Sequence, residues 1–117
     1  MQLPHETRAR LVAEAEAADP HECCGVLLAE GTAIACENVA EEKHHRFAID
    51  PLMMLRLDRA HRIVGIYHSH PDAEPVPSAT DLAAAWPGYV YSIIGRIDGA
   101  WVIRSWALRD GEFVEIT

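Results

Sequence analysis

The apolar residues near the start of the chain recur at helical spacing. They fall three or four positions apart, as one face of a helix requires: Leu11, Val12, Ala15 and Ala18. Pro4 stands near the first helical position and Pro20 just beyond the last, which are places where helices accept proline. The pattern predicts a first helix between these two prolines.

Apolar runs of strand length follow this helix. Residues 24–30 (CGVLLAE) form a continuous run, and Gly31 offers a turn into a second run at residues 32–38 (TAIACEN). Residues 45–50 (HRFAID) alternate between polar and apolar, and residues 62–68 (RIVGIYH) are rich in β-branched and aromatic side chains. Both features are typical of strands, so each of these runs is predicted to be one.

Two more helices are indicated by the residues that begin them. Asp50-Pro51 is an N-cap and first-turn pair, and apolar residues follow it: Leu52, Met53, Leu55 and Leu57. Ser78 precedes the run DLAAAW, which Pro87 stops. We expect the Met53-Met54 pair and the three tryptophans to lie in the core or on a sheet face: Trp86, Trp101 and Trp106.

The end of the chain reads as three strands, YVYSIIG (89–95), WVIRSWAL (101–108) and EFVEI (112–116). Asp98-Gly99, between the first two, is a hairpin signal. Helices interspersed among strands predict an α/β or α+β sheet domain rather than a bundle or a sandwich. Because no repeat or linker divides the chain, residues 1–117 are expected to form a single domain.

Composition and charge narrow the classes of function. The chain has 117 residues, half of them apolar, which suffices for one core. Its formal net charge of −8 argues against nucleic acid or an anionic membrane surface as a partner. No apolar run approaches the roughly 18 residues of a membrane span, and the first residues lack the layout of a signal peptide. We therefore expect a cytoplasmic protein; its oligomeric state is not specified by these features.

Three cysteines are present, Cys23, Cys24 and Cys36. Their number is odd and two are adjacent, which is a poor geometry for a mutual disulfide. We expect them to be small buried hydrophobes in a reducing compartment.

Most residues with chemical function lie in the stretch HSHPDAEPVPSATD (68–81). If the preceding strand stays extended, His68 and His70 point to the same face with Cα atoms roughly 6.5–7 Å apart. Two imidazoles so placed can converge on one metal ion. A catalytic zinc site takes three protein ligands and a water, and the stretch offers three candidates for the third ligand: Asp72, Glu74 and Asp81.

Ser78 and Asp81 also have a structural interpretation. Ser78-x-x-Asp81 before an apolar run is a capping box, with the serine capping the helix. The two interpretations are compatible, because a carboxylate in the first turn of a helix has a fixed place. Pro71, Pro75 and Pro77 restrict the loop and help to hold its residues in register.

Other metal folds that use the HxH pattern fit less well. A metallo-β-lactamase-like site needs a histidine where Ala73 stands, and a longer chain. A cupin needs a glycine where Arg62 stands, and the predicted helices contradict an all-β barrel, although Glu74 falls at a workable spacing. An amidohydrolase needs a barrel of about 250 residues.

The sequence His68-Ser69-His70-Pro71, followed by Ser78-x-x-Asp81, resembles the motif of the JAMM metalloproteases, the catalytic MPN-plus domains. That family also has an upstream glutamate beside an apolar strand with a cysteine-glycine pair. This chain has Glu22-Cys23-Cys24-Gly25 there, followed by Val-Leu-Leu. The resemblance spans nearly the whole chain and implies an MPN-like mixed β-sheet flanked by about three helices.

The resemblance also implies roles for individual residues. His68, His70 and Asp81 would bind one zinc ion per chain. Glu22 would hold the attacking water and act as general base and then general acid. Ser78 would help to stabilise the oxyanion.

A substrate class is implied as well. The eukaryotic relatives that cleave ubiquitin chains carry insertions, whereas here Asp81 runs through one short helix into residues 89–95. The chain looks like the small prokaryotic type, which is associated with ubiquitin-like and sulfur-carrier proteins and with hydrolysis after a terminal Gly-Gly. A general short-peptide metallopeptidase and a non-catalytic MPN scaffold are the alternatives.

The remaining metal-competent residues match no known pattern. His44-His45 and the three cysteines lack zinc-ligand spacing and are assigned no role. His21, beside Glu22, is placed at the rim of the cleft. The identity of the substrate protein and the preference for exo- or endopeptidase cleavage are not encoded in any recognisable motif.

Overall fold

The first helix, α1 (His5–Ala18), forms between the two prolines as its spacing predicts. The computed structural model in which it is seen describes residues 2–116, so the two ends of the predicted domain 1–117 lie outside the described residues. Pro4 is the N-cap of α1 rather than its first helical residue. Leu11 and Ala15 are fully buried and pack α1 onto one face of the sheet.

The sheet consists of six strands: β1 (Cys24–Leu28), β2 (Ala33–Cys36), β3 (Ile63–Ser69), β4 (Val90–Ile97), β5 (Ala100–Arg109) and β6 (Glu112–Ile116). Their order across the sheet is β2-β1-β3-β4-β5-β6. β3 and β4 pair in parallel, and the other neighbours pair antiparallel. This mixed sheet with three helices confirms the predicted fold class.

β1 is buried along its whole length, as its continuous apolar run predicts for a central strand. It lies between β2 and β3, and the ring of Tyr67 crosses it at Gly25. A Cβ atom at position 25 would collide with this ring and with the carbonyl oxygen of Ile34. The cysteine-glycine pair therefore has a packing reason at the start of the strand that follows Glu22.

The other two helices are α2 (Pro51–Ala60) and α3 (Ala79–Ala84). Asp50 caps α2 as predicted, and its carboxylate accepts a hydrogen bond from the amide of Leu52 at 3.1 Å. The helix forms where its apolar spacing predicts it but buries none of its residues, and of the Met53-Met54 pair only Met54 is half-buried. No helix of the described part of the chain is long and apolar enough to cross a membrane.

Residues 45–50 do not form the predicted strand. Their alternation is real, but the backbone here is not paired along a strand. The amide of Ala48 donates to the side chain of Asn38 at 3.1 Å, and its carbonyl accepts from Val39 at 2.9 Å. Hydrogen bonds to the Asn38 side chain thus take the place of strand pairing, and they hold the segment without regular secondary structure.

The three tryptophans and Met53 divide into two groups by their exposure to solvent. Trp101 and Trp106 are half-buried on β5, as expected for a sheet face, and the indole of Trp106 donates to the carbonyl of Pro75 at 3.0 Å. Trp86 follows α3 and is 67% exposed, and Met53 on α2 is 42% exposed. The core prediction is wrong for these two residues: Met53 stands on a helix that has no buried residue, and Trp86 lies beyond the end of another such helix.

The three cysteines are free thiols. Cys24 is buried in β1, whereas Cys23 and Cys36 are half-buried, so the expectation of full burial is met by one of the three. Burial raises the pKa of Cys24 to about 12, with smaller contributions from the neighbouring Cys36 and Cys23. This thiol therefore stays protonated at neutral pH.

Candidate metal centre

Both histidines of the HxH pattern lie at the carboxyl end of β3. The backbone continues beyond Ser69 in register with its neighbours: the amide of Ser69 donates to Cys23 at 3.0 Å, and that of His70 donates to Ile94 at 2.8 Å. With the chain held extended on both sides, the side chains of His68 and His70 point the same way. Their Nε2 atoms lie 3.1 Å apart, and both residues are buried.

The loop after His70 is fixed to the sheet by the protein backbone. Nδ1 of His70 donates to the carbonyl of Glu74 at 3.1 Å, which leaves Nε2 as the nitrogen available to a metal. Pro75 is fully buried, and Trp106 donates to its carbonyl. Gly95 of β4 permits this approach, because a Cβ atom there would collide with the backbone of Glu74 and Pro75.

α3 carries Asp81 into the site through the predicted capping box. The hydroxyl oxygen of Ser78 accepts from the amide of Asp81 at 3.0 Å, and the amide of Ser78 donates to Oδ2 of Asp81 at 2.8 Å. The same Oδ2 lies 3.2 Å from Nε2 of His68 and 3.2 Å from Nε2 of His70. The helix cap therefore also orients the carboxylate toward both imidazoles.

Glu22 enters the site from the connection between α1 and β1. Its amide donates to the carbonyl of Lys43 at 2.7 Å, and its carbonyl accepts from the side chain of Asn38 at 2.9 Å. Only 6% of the residue is exposed. A carboxylate oxygen of Glu22 and one ring nitrogen each of His68 and His70 lie within 4.8 Å of one another.

These four side chains suit a zinc ion. The three separations among His68, His70 and Asp81 are 3.1, 3.2 and 3.2 Å. Tetrahedral zinc ligands at about 2.0–2.1 Å from the ion lie roughly 3.3 Å apart. Two imidazole nitrogens and a carboxylate oxygen are also a donor set that zinc accepts. Glu22 in place of Asp81 makes a second possible set of three.

The two carboxylates differ in their electrostatics. Burial raises the pKa of Glu22 to about 7; the charge of His70 opposes this shift and that of Asp81 adds to it. Burial also acts to raise the pKa of Asp81, but the hydrogen bonds from His68 and His70 outweigh it and hold that pKa well below its usual range. Asp81 is therefore ionised at all ordinary pH values, whereas Glu22 exchanges a proton near neutral pH.

The two imidazoles also differ. Burial lowers the pKa of His68, so its neutral form is favoured, as a metal ligand requires. For His70, burial acts in the same direction, but its hydrogen bonds to Asp81 and to the carbonyl of Glu74 raise the pKa above its ordinary value. Two buried polar atoms of the site have no hydrogen-bond partner among residues 2–116, Oε1 of Glu22 and Nδ1 of His68.

Phe47 is a site residue that the sequence does not reveal. Its ring stacks on the imidazole of His68, with ring centroids 4.4 Å apart and planes inclined by 17°. The alternation of residues 45–50 indicates a strand and assigns no role to any one of them. The contact with His68 joins positions 21 residues apart through a segment without regular structure, and no short motif signals it.

The other candidate ligands lie away from this cluster. Asp72 is exposed on the loop, and Glu74 contributes its backbone carbonyl rather than its carboxylate. The ring of His21 packs against that of His44 at 4.7 Å, next to a cavity of about 350 Å³ that Glu22 also lines. Within the described residues, the metal-competent side chains that meet belong to this cluster: Glu22 with His68 and His70, and Asp81 with the same two histidines.

A groove of about 370 Å³ runs beside the cluster, between α3 and the segment that carries Phe47. Among its lining residues are two alanines, two acidic residues and Thr80: Ala40, Ala48, Glu41, Glu42 and Thr80. Arg46 and Phe47 complete the lining, and through the Phe47 ring, which stacks on His68, the groove adjoins the cluster.

Known proteins share both the sequence and the fold. Residues 4–109 match the family model described as prokaryotic homologs of the JAB domain, Prok-JAB. A protein of Haloferax volcanii named desampylase is 38% identical over 110 residues, which cover 84% of this chain and 77% of that protein.

Solved structures add the fold. A protein from Desulfitobacterium hafniense has a TM-score of 0.81 at 24% identity, over 97% of this chain and 88% of its own. A JAB1/MPN domain protein from Archaeoglobus fulgidus has a TM-score of 0.61 at 19% identity, over 99% of this chain and 96% of its own. The resemblance to MPN-type domains is confirmed, and this chain belongs to the Prok-JAB family, the prokaryotic homologs of the JAB domain.

Proposed function

We propose that the protein is a zinc-dependent peptidase or isopeptidase that hydrolyses the amide bond after the C-terminal Gly-Gly of a ubiquitin-like or sulfur-carrier protein. The observation that supports this most is that His68 and His70 meet two carboxylates at the end of β3: Asp81 lies 3.2 Å from each imidazole, and Glu22 lies within 4.8 Å of both. The H. volcanii relative adds support, because its name, desampylase, denotes an enzyme that removes a ubiquitin-like modifier.

His68, His70 and Asp81 are the proposed zinc ligands, and Glu22 is the proposed proton carrier. The pKa directions support this division, because a permanently ionised carboxylate suits metal ligation and one that titrates near 7 suits proton transfer. A zinc ion bound there supplies a Lewis acid that activates water and polarises the scissile carbonyl.

Glu22 serves as general base and then as general acid in this proposal. Its Oε1 has no partner among the described residues and is available to accept a proton from the attacking water. The protonated carboxyl then donates to the nitrogen of the leaving amine as the amide bond breaks. A carboxyl whose pKa lies near the working pH can perform both steps without a large energetic penalty.

Ser78 has a hydroxyl hydrogen to offer. Its oxygen accepts from the amide of Asp81, so the hydrogen of the hydroxyl is not used by the cap. We propose that this hydrogen is donated to the oxyanion that develops on the substrate carbonyl.

We predict that Ser78→Ala lowers kcat by about 10²-fold, as for loss of one oxyanion donor, and costs about 1 kcal/mol of stability through loss of the cap. Ser78→Gly is the matched variant, since glycine at an N-cap costs only about a few tenths of a kcal/mol. Both should show the same loss of kcat while differing in urea unfolding. A rate that tracks stability instead would assign Ser78 to the helix alone.

The size of the domain supports this substrate class. α3 has six residues and β4 begins soon after it, so no inserted element stands there to grip a second folded protein. The groove beside the site has small residues in its wall. A flexible tail ending in two glycines fits such a groove, because glycine lets the backbone approach the metal closely.

The test uses ubiquitin-like and sulfur-carrier proteins that carry short extensions after Gly-Gly, with products identified by intact mass. We expect cleavage directly after the second glycine and at least a roughly tenfold loss of rate when that glycine is changed to valine, since a new side chain must enter the groove. Brisk cutting of unrelated short peptides, with indifference to the valine, would instead indicate a general peptidase. Zinc-loaded protein that cleaves neither would indicate a scaffold.

A further inference from the structure

Asn38, two residues after β2, uses every hydrogen-bonding position of its side-chain amide. Nδ2 donates to the carbonyl of Glu22 and to that of Arg46, each at 2.9 Å. Oδ1 accepts from the amide of Ala40 at 3.0 Å and from that of Ala48 at 3.1 Å. Since a primary amide has two donors and two acceptor sites, this side chain is fully satisfied.

The four bonds join the two parts of the site that regular secondary structure does not fix. One bond reaches the backbone of Glu22, the proposed proton carrier. Two others reach Arg46 and Ala48, the residues on either side of Phe47, so the backbone that carries the Phe47 ring is held before and after it. That ring lies on His68. Asn38 therefore sits between a reacting group and the aromatic wall over a proposed ligand.

Regular secondary structure does not hold the segment around Asn38 in place. Residues 37–50 contain neither helix nor strand. Two backbone hydrogen bonds also help to hold this segment and Glu22. The amide of Val39 donates to the carbonyl of Ala48, and the amide of Glu22 donates to the carbonyl of Lys43. An apolar side chain at position 38 would leave the carbonyls of Glu22 and Arg46 and the amides of Ala40 and Ala48 without these partners.

We propose that Asn38 is a positioning residue, which sets the place of Glu22 relative to the two histidines and holds Phe47 against His68. This inference rests on the proposed function, because it concerns the same site. Asn38 contacts none of His68, His70 and Asp81 by a hydrogen bond, so its loss leaves zinc binding intact. It acts on turnover through a displaced Glu22, and a displacement of about 1 Å at a reacting group costs about 10²-fold.

Two substitutions separate the donors from the acceptors of this amide. Asn38→Ala removes all four bonds. Asn38→Asp keeps the acceptors for Ala40 and Ala48 but removes both donors, so Glu22 and Arg46 lose their partner. Thr7→Val is the matched control, since it removes one buried side-chain bond, from Thr7 to the carbonyl of Gly31 at 2.6 Å, far from the site in the chain.

The experiment compares these zinc-loaded variants with the unaltered protein. We expect full zinc content in all, a loss of kcat of about 10²-fold in both Asn38 variants, and unchanged kcat in Thr7→Val. Amide hydrogen exchange should be faster at Ala40 and Ala48 in Asn38→Ala, and nearly normal there in Asn38→Asp. The ring-current shift that Phe47 imposes on the His68 ring protons should shrink in Asn38→Ala.

The experiment distinguishes failure of this inference from failure of the proposed function. If the unaltered protein cleaves no Gly-Gly substrate, the proposed function fails, while exchange at Ala40 and Ala48 and the His68 shift still test the positioning. Unchanged exchange and an unchanged shift in Asn38→Ala would overturn the inference, as would wild-type kcat in a folded Asn38→Ala or Asn38→Asp. A loss of kcat no larger than that of Thr7→Val would also overturn it. If Asn38→Ala does not fold, Asn38→Asp decides the matter through kcat.

Discussion

Replacing Glu22 by glutamine is expected to lower kcat by about 10³- to 10⁴-fold, near the upper end of what general acid–base catalysis supplies. The amide has nearly the shape of the carboxyl but cannot take the proton of the attacking water. Because His68, His70 and Asp81 are untouched, zinc content should remain near one per chain. Turnover of a Gly-Gly-extended substrate and metal analysis of the same sample check both parts.

The pH dependence of the stability of the metal-free protein serves as the control for Glu22→Gln. Burial raises the pKa of Glu22 from 4.5 to about 7, so the folded state holds a proton there that the unfolded state has already lost. The metal-free protein therefore loses stability as pH rises from 4.5 to about 7, by roughly 3 kcal/mol in all from this group. The glutamine variant escapes this loss. It should unfold at higher urea than the unaltered protein at pH 8 and at similar urea below pH 4.5. Wild-type turnover in the variant would remove Glu22 from the mechanism.

The second large effect is expected on metal binding. His68→Ala, His70→Ala and Asp81→Ala should each weaken zinc binding by more than about 10²-fold, the effect reached by losing even an outer-shell partner. Each change removes one of three protein ligands, and a shell of two does not retain zinc against a chelator. Asp72→Ala is the control, because Asp72 is exposed and lies outside the cluster. The zinc content of each of the four variants after dialysis against a chelator measures these effects.

Two results would revise the ligand assignment. Full zinc occupancy in the His68→Ala/His70→Ala double variant would place the ion elsewhere. Loss of zinc from Glu22→Gln together with its retention in Asp81→Ala would favour the other set of three, in which Glu22 is a ligand. Comparing these variants side by side therefore distinguishes a ligand from a proton carrier.

The meeting of His68, His70 and Asp81 at the end of β3 could be predicted because its determinants are local. Extended backbone makes residues two apart share a face, which brings His68 and His70 together. A helix cap fixes Asp81 relative to Ser78 in the same way. The strands and helices around them follow from apolar runs and turn residues for the same reason: each signal lies within the element that it predicts.

Features that depend on long-range contacts were not predicted. The segment 45–50 alternates like a strand, but its partner is the side chain of Asn38, and no pattern in the segment itself says so. Phe47 reaches His68 only through that arrangement. The apolar residues of α2 are spaced for a helix face, yet none of them is buried, and only Met54 and Leu57 are half-buried. The spacing of apolar residues predicts a helix or a strand, but it does not predict which part of the fold that helix or strand contacts.

The capping box of α3 has a thermodynamic consequence. A helix of six residues is not stable alone, and α3 has no buried residues to hold it. Its carboxylate contact with His68 and His70 is therefore a main tie to the rest of the domain. With Asp81 as a zinc ligand, ordering of α3 and retention of the ion are two sides of one equilibrium. On the proposed assignment of Asp81 as a zinc ligand, a change that makes the turn from Ser78 to Ala84 more helical should tighten metal binding without altering a ligand, and loss of the ion should fray this helix first.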